Sequence, residues 1–366
     1  MKYMKSLFCY LLFIFTVNAE ELKTTENDPL KFSGNYFFYG GASADVIEGK
    51  DQGAFSGIAR MTVNWVGYRD ESDQDTGQLQ LRLDHKHSYT DATPKDFMMS
   101  NVGGFGLIQP AFSDIGFRLT NLYWRQEFNA QDTELMVGFL DSTDYIDTYA
   151  LGNPWSGFSN VQFSTGAGAI AIPDESTLGV TVKHMMSANF YTLASFSDAK
   201  ADSTEPFTGI DNIINENHYF KSVEIGWIPS KEVFYVQNVH LIVWHSDGKA
   251  ARPTENYGAN LSAIYLTDNW MPFLRVGVSE GPENLYKSSV VMGTGYLGLG
   301  EGTLGVALGW AKPNAPVDEV MNTEFYYKAD FGPLSITPNI QYLNGLPFNL
   351  NNDDAWIFGV RGVISI

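Results

Sequence analysis

Hydrophobic and polar residues alternate with a period of two in one segment of the chain after another. In Gln78-Leu79-Gln80-Leu81-Arg82-Leu83-Asp84 the three leucines share one face, and Gln80, Arg82 and Asp84 share the other. Arg60 to Trp65 repeats the pattern, with Met61, Val63 and Trp65 set against Arg60, Thr62 and Asn64. It recurs at Val223–Trp227, Leu274–Val278, Leu304–Trp310, Phe325–Phe331, Ile336–Tyr342 and Trp356–Ile366. Between residues 31 and 366 this predicts about sixteen strands, each near the length of a tilted membrane strand. An even number suits a single-chain bacterial barrel.

One long stretch breaks the alternation. Strands are predicted at Leu122–Phe128 and Glu134–Leu140, and strand periodicity resumes only at Leu178. The intervening loop, 141–173, is rich in Gly, Asn, Ser and Pro, yet it carries Tyr145, Tyr149, Trp155, Phe158 and Phe163. Aromatics in such number pack against something, so a loop folded against the inside of a barrel is expected.

A soluble β-sandwich also alternates, but its second face meets water and carries many Lys and Glu. Here the second face often carries small or amide residues, as at Gly305, Ala307 and Gly309, which implies room for a lumen. Aromatics gather near turns (Trp65, Tyr68, Tyr265, Trp270, Trp310, Tyr326, Tyr327, Trp356), as in the girdles of a membrane barrel. Short turns are expected at Asn129–Asp132, Gly300–Gly302 and Gly332–Pro333. Longer links are expected at Asp70–Thr76, Asp198–Asn217 and Lys312–Glu319. The fold class is therefore all-β: one transmembrane antiparallel β-barrel with a loop in its lumen.

The ends and the composition add location. Residues 1–19 have the form of a secretory signal, with Lys2 and Lys5, the apolar run Leu7 to Phe15 and a small-residue site at Val17-Asn18-Ala19. A polar tail, 20–30, follows, and the barrel occupies 31–366. Cys9, the 1 cysteine of the chain, lies within the signal, so neither a disulfide nor a thiolate metal site is available afterwards. The net charge of −19 disfavours nucleic acid. The acidic run Asp70-Glu71-Ser72-Asp73-Gln74-Asp75 reads as a solvated outer loop, or else as a site for divalent cations among lipopolysaccharide phosphates.

Several segments together resemble the carbohydrate-selective, OprB-type porin family. They are Trp124-Arg125-Gln126-Glu127, the run from Leu135 to Asp141 with Asp144-Tyr145-Ile146-Asp147-Thr148, Phe158-Ser159-Asn160, and Ile170-Ala171-Ile172-Pro173. Toward the C-terminus the likeness continues through Glu324-Phe325-Tyr326-Tyr327, Leu334 to Tyr342, and Gly359-Val360-Arg361. The resemblance spans about 117–366. Before it the family's Trp-Gly-Gly-Leu-Arg opening is missing, and Ile366 stands where such barrels usually end in an aromatic. It implies sixteen strands, loops that narrow the lumen, and passage of sugars. The chemistry of the loop agrees, because sugars offer hydroxyls and apolar faces to carboxylates and aromatic platforms. The candidate constriction residues are Asp141, Asp144, Tyr145, Asp147, Tyr149 and Trp155, with Arg82, Arg275 and Glu324 on the wall. Asp144 and Asp147 read equally well as caps of a short helix. Further inward charges are Arg60, Asp84, Lys86, Glu224, Lys328 and Arg361.

No enzymatic site is expected: His184 with Ser187, or His240 with His245, are fragments that nothing completes. No cofactor or metal is expected either. The partners implied are outer-membrane lipid and lipopolysaccharide and small sugars or other hydrophilic solutes, with monomer and homo-oligomer both open. The cell outer membrane is the expected location. A general or cation-preferring porin, favoured by the acidic balance, is the alternative function, followed by an adhesin-like or enzymatic barrel.

Overall fold

The computed structural model describes residues 28–70, 74–249, 254–300 and 302–366. The expected signal, 1–19, and most of the tail lie outside these residues. The described residues form sixteen strands: β1 Leu30–Ala42, β2 Gly53–Arg69, β3 Asp75–Ser88, β4 Gly116–Phe128, β5 Thr133–Leu140, β6 Thr177–Met185, β7 Phe190–Asp198, β8 Tyr219–Trp227, β9 Gln237–Ser246, β10 Asn256–Tyr265, β11 Trp270–Glu280, β12 Tyr286–Leu299, β13 Gly302–Pro313, β14 Val320–Phe331, β15 Leu334–Asn344 and β16 Asp354–Ser365. Each pairs with its neighbours in the chain, and β1 pairs antiparallel with β16 to close the barrel. Closure leaves no unpaired sheet edge, as a spanning sheet requires.

Register carries the period-two pattern around the wall. Leu81 pairs with Val63 and Leu122 on the outer face, whereas Arg82 pairs with Thr62 and Asn121 on the inner. A slip of one residue would turn every leucine of β3 inward. Between Arg82 and Leu83 the pairing shifts, leaving Thr120 as an extra residue in β4, so that Arg118 and Asn121 both face inward. Outward residues such as Val223, Ile225, Leu241, Val243, Leu274 and Phe325 are exposed. An apolar band this continuous is a lipid face.

Trp65, Tyr68, Tyr265, Trp270 and Trp356 stand exposed near strand ends, as girdle residues do. Tyr326 does not: it shares the inner face with Glu324, is fully buried, and meets Phe158 edge-on at 5.0 Å. Connections after odd-numbered strands are mostly long, at 89–115, 141–176 and 199–218, whereas those after even-numbered strands are mostly tight turns. The link from Asp70 belongs to the tight rim, where the Asp70 N–H donates to Gln74 O at 3.1 Å. Asp70 and Gln74 at the two ends of the acidic run thus belong to the rim of mostly tight turns and not to the long-connection rim; residues 71–73 lie outside the described set.

Much of the interior is filled. Buried Phe97, Met98, Val102, Ile108 and Phe112 of the 89–115 connection pack on Tyr39, Ile58, Leu343 and Ile357 of the wall. Tyr149, Leu151, Phe158 and Phe163 of 141–176 pack on Ile264, Phe273, Val291 and Ala307. Small inward residues serve this packing. A side chain on Gly277 would meet Ala169, one on Gly295 would meet Leu151, and one on Gly309 would meet Gln162. Gly305, Ala307 and Gly309 thus do not open a lumen: they line a floor under a loop or a neighbouring ring.

Candidate functional site: the loop on the inner wall

Charged groups of the wall hold the 141–176 connection, and three of them make most of the bonds to its backbone. The Glu324 carboxylate accepts the Ser159 N–H at 2.7 Å and the Asn160 N–H at 2.8 Å. Arg361 donates to Pro154 O at 3.0 Å and Gly157 O at 2.8 Å. Arg275 donates to Ser164 O, to Asp147 O at 3.1 Å and to the Asp147 carboxylate. The loop therefore satisfies wall charges that would otherwise be stranded under it, and the wall satisfies backbone groups that no strand pairs.

Asp147 is the densest of these junctions. Its carboxylate takes the Arg275 guanidinium, His240 Nε2 at 2.7 Å and the Gly166 N–H, while its own N–H donates to Glu224 at 2.9 Å. Burial opposes its ionisation. Arg275, then His240 and the Gly166 N–H, outweigh burial and hold the carboxyl below its usual range. The residue is held at φ 50°, in the left-handed region. Beside it the buried Tyr149 lies under the Arg275 guanidinium at 4.4 Å and donates its hydroxyl to Phe163 O at 2.5 Å.

Five of the nine predicted site residues are thus buried anchors and not open surface: Asp141, Asp147, Tyr149, Arg275 and Glu324. Asp141 caps the turn Ser142–Asp144 by accepting from Thr143 N at 3.1 Å. Burial, then the charges of Asp144 and Glu175, push it up to about 7. Trp155 is half-buried, with its ring 4.2 Å from that of Phe37 and the Arg60 guanidinium 4.7 Å above it. Tyr145 is half-buried beside Ile146, Phe220 and Trp244.

Asp144 is exposed and Arg82 only partly covered. They pair at 2.8 Å with side chains 18% and 41% exposed. Around them the inward positions Gln80, Tyr123, Arg125 and Glu134 are also only partly covered. Arg125 pairs with Glu134 at 3.0 Å and with Glu127. The loop anchors described above lie on β8, β9, β11, β14 and β16, and near the end of the loop Glu175 also pairs with Lys86 of β3 at 2.8 Å and Arg118 of β4 at 2.7 Å, so the partly covered polar strip along β3 to β5 has the loop, through Asp144, at its edge. It carries alternating cationic and anionic groups beside a tyrosine.

Sequence reasoning missed the 89–115 connection. It bridges to the other loop through Ile108 and Asn160, with Gln109 N donating to Ser159 O at 2.8 Å and Val161 N to Leu107 O at 2.9 Å. The signal was present in its aromatics and paired glycines, which also lack alternation. The histidine fragments do not converge. His240 is inward and buried at Asp147, His245 faces outward on the same strand, and His184 bonds Thr133 at 2.9 Å.

A closed sixteen-stranded antiparallel barrel, apolar outside and with a long connection laid on its inner wall, has the porin architecture. Among solved structures the chain is similar to Pseudomonas putida OprB. The high-pH form matches with a TM-score of 0.71 and 12% identity, over 92% of this chain and 94% of that one. The low-pH form matches with a TM-score of 0.54 and 12% identity, over 92% and 93%. A mutant of the Rh. blastica porin matches with a TM-score of 0.51 and 14% identity, over 92% and 100%. No family model and no curated protein matches the sequence.

Proposed function

We propose that this protein is an outer-membrane porin through which small hydrophilic solutes diffuse passively, carbohydrates foremost. One observation carries the reading. The inner loops cover much of the wall, and along β3 to β5 they leave a partly covered strip of Arg82, Arg125, Glu134 and Tyr123 edged by Asp144 of the loop itself. Such a strip offers planar hydrogen-bonding groups in both senses beside an aromatic ring, which suits a solute rich in hydroxyls. The resemblance of 117–366 to OprB-type porins and the fold shared with P. putida OprB support the same solute class. In this reading 141–176 is the constriction loop, the long-connection rim faces outward, and lipid and lipopolysaccharide surround the apolar band. Enzymatic activity has no support in the geometry of the strip. Cation preference in the same pore is the second reading, favoured by the net charge of −19.

Single-channel recording in planar bilayers, with added mono- and disaccharides, tests the proposal. Sugars are expected to block current with roughly millimolar affinity, about −4 kcal/mol, because a pore must release what it binds. Asp144→Ala is expected to weaken the block while the barrel still assembles. No current from folded protein would overturn the porin reading. Current with sugar block absent would leave the cation-preferring alternative.

A further inference from the structure

His85 and His87 follow Leu83 on the outer face of β3, so their i, i+2 spacing sets two imidazoles side by side. Their Nδ1 atoms are 3.3 Å apart. Two nitrogens bound to one tetrahedral ion at about 2.0–2.1 Å stand about 3.3–3.4 Å from each other, so the rings already hold the separation of a chelate. The surroundings orient them. His87 Nε2 lies 2.9 Å from the Tyr36 hydroxyl and 2.9 Å from the Tyr89 hydroxyl, and the two hydroxyls are themselves in contact. An Nε2–H donated to a tyrosine oxygen leaves the lone pair on Nδ1, the tautomer that a metal takes. The His85 ring lies edge-on to Phe117 at 4.4 Å. Gly57, paired with His87 across β2, leaves the space that the Tyr36 hydroxyl occupies.

We propose that His85 and His87 form a two-imidazole site for Zn²⁺ or Cu²⁺ on the outside of the barrel. β3 ends at Ser88 and runs into the 89–115 connection, which puts the pair at the long-connection rim, within reach of water. Imidazole ligands select these ions over Mg²⁺ and Ca²⁺. The two imidazoles are the ligands that the described residues supply; no group of three or more His, Cys, Asp or Glu gathers around an ion position among those residues. On binding, the hydrogen between the two Nδ1 atoms moves to the far ring nitrogen and the ion takes its place.

The test uses the folded full-length barrel in detergent, without a histidine tag and stripped with chelator. Titration with ZnCl₂ is expected to show one ion per chain, undisturbed by excess MgCl₂. CuCl₂ is expected to give an electron paramagnetic resonance spectrum with two bound nitrogens. His85→Gln or His87→Gln should each weaken binding at least tenfold and leave one nitrogen on copper. Tyr36→Phe with Tyr89→Phe should weaken it about 10–100-fold through lost ring orientation. His245→Gln, also outward, should change nothing. Because the replaced side chains face outward, heat-modifiable mobility in gels checks that each variant remains folded. Absence of binding by the folded wild type, or binding unchanged in both histidine variants, overturns the proposal.

Discussion

Removing the Asp147 carboxylate isolates what holds the loop down. Arg275 is 1% exposed, and the Asp147 carboxylate is its anionic partner in that site; its other acceptors are carbonyls and the Ser262 hydroxyl at 3.1 Å. Breaking a buried pair by removing one member costs about 3–5 kcal/mol, because the remaining charge stays desolvated and uncompensated. At about 1.4 kcal/mol per tenfold change, that shifts the balance between a docked and a lifted loop by roughly two to four powers of ten. The loss falls on the loop and not on the barrel, since β11 keeps its pairing with β10 and β12. Glu324 and Arg361 still hold Pro154 to Asn160, so the stretch before Pro154 is the part released. Asp147→Ala is therefore expected to raise single-channel conductance and open-state noise. The double change Asp147→Ala with Arg275→Met removes both charges and should return most of the wild-type conductance, since an apolar pair can replace a buried ionic one at little cost. Wild-type conductance and noise in Asp147→Ala would refute the argument. So would a double variant as open as the single one, because the opening would then not arise from the stranded guanidinium.

Leu81→Arg places a charge on the lipid face and should lower barrel stability by about 2–4 kcal/mol near the bilayer midplane. Arg82→Leu removes a pair that is open to water, worth about 0–1 kcal/mol, so equal losses in gel-shift or denaturant assays would contradict the facing of β3. Asp141, pushed up to about 7, holds its proton in the folded chain at pH values where the unfolded chain, near 4, has lost it. Its contribution to loop stability is thus fully present below about pH 4 and is lost as pH rises through about 7. Limited proteolysis of 141–176 should accelerate from pH 5 to pH 8 in the wild type and stay flat in Asp141→Asn, and a parallel acceleration in both would count against the assignment.

The strands and their two faces were legible in the sequence, and the reason is local. Alternation follows from backbone geometry across two residues, so Leu79, Leu81 and Leu83 declare one face whatever their neighbours do. The even strand count and the turns at Asn129, Gly300 and Gly332 follow likewise from short stretches. The same rule separates His240 from His245, because five residues along a strand lead to opposite faces. The aromatic content of 141–173 announced a packed loop, and the same signal in 89–115 went unread.

What covers an inward face is set by segments far away in the chain, so it emerges only once the barrel has closed. Arg275 and Asp147 are 128 residues apart, and Glu324 and Ser159 are 165 apart. Nothing within β11 or β14 distinguishes these buried anchors from Arg82, which is only partly covered. Tyr326 has the sequence context of a girdle residue, and its position over Phe158 depends on where the loop lies. Gly305, Ala307 and Gly309 spell an inner face with room to spare, yet a small side chain marks an open lumen or the floor beneath another segment equally well. Inward orientation is a property of each strand alone; exposure to the lumen depends on the path of the loops, whose buried backbone groups and wall charges must find one another across the closed barrel.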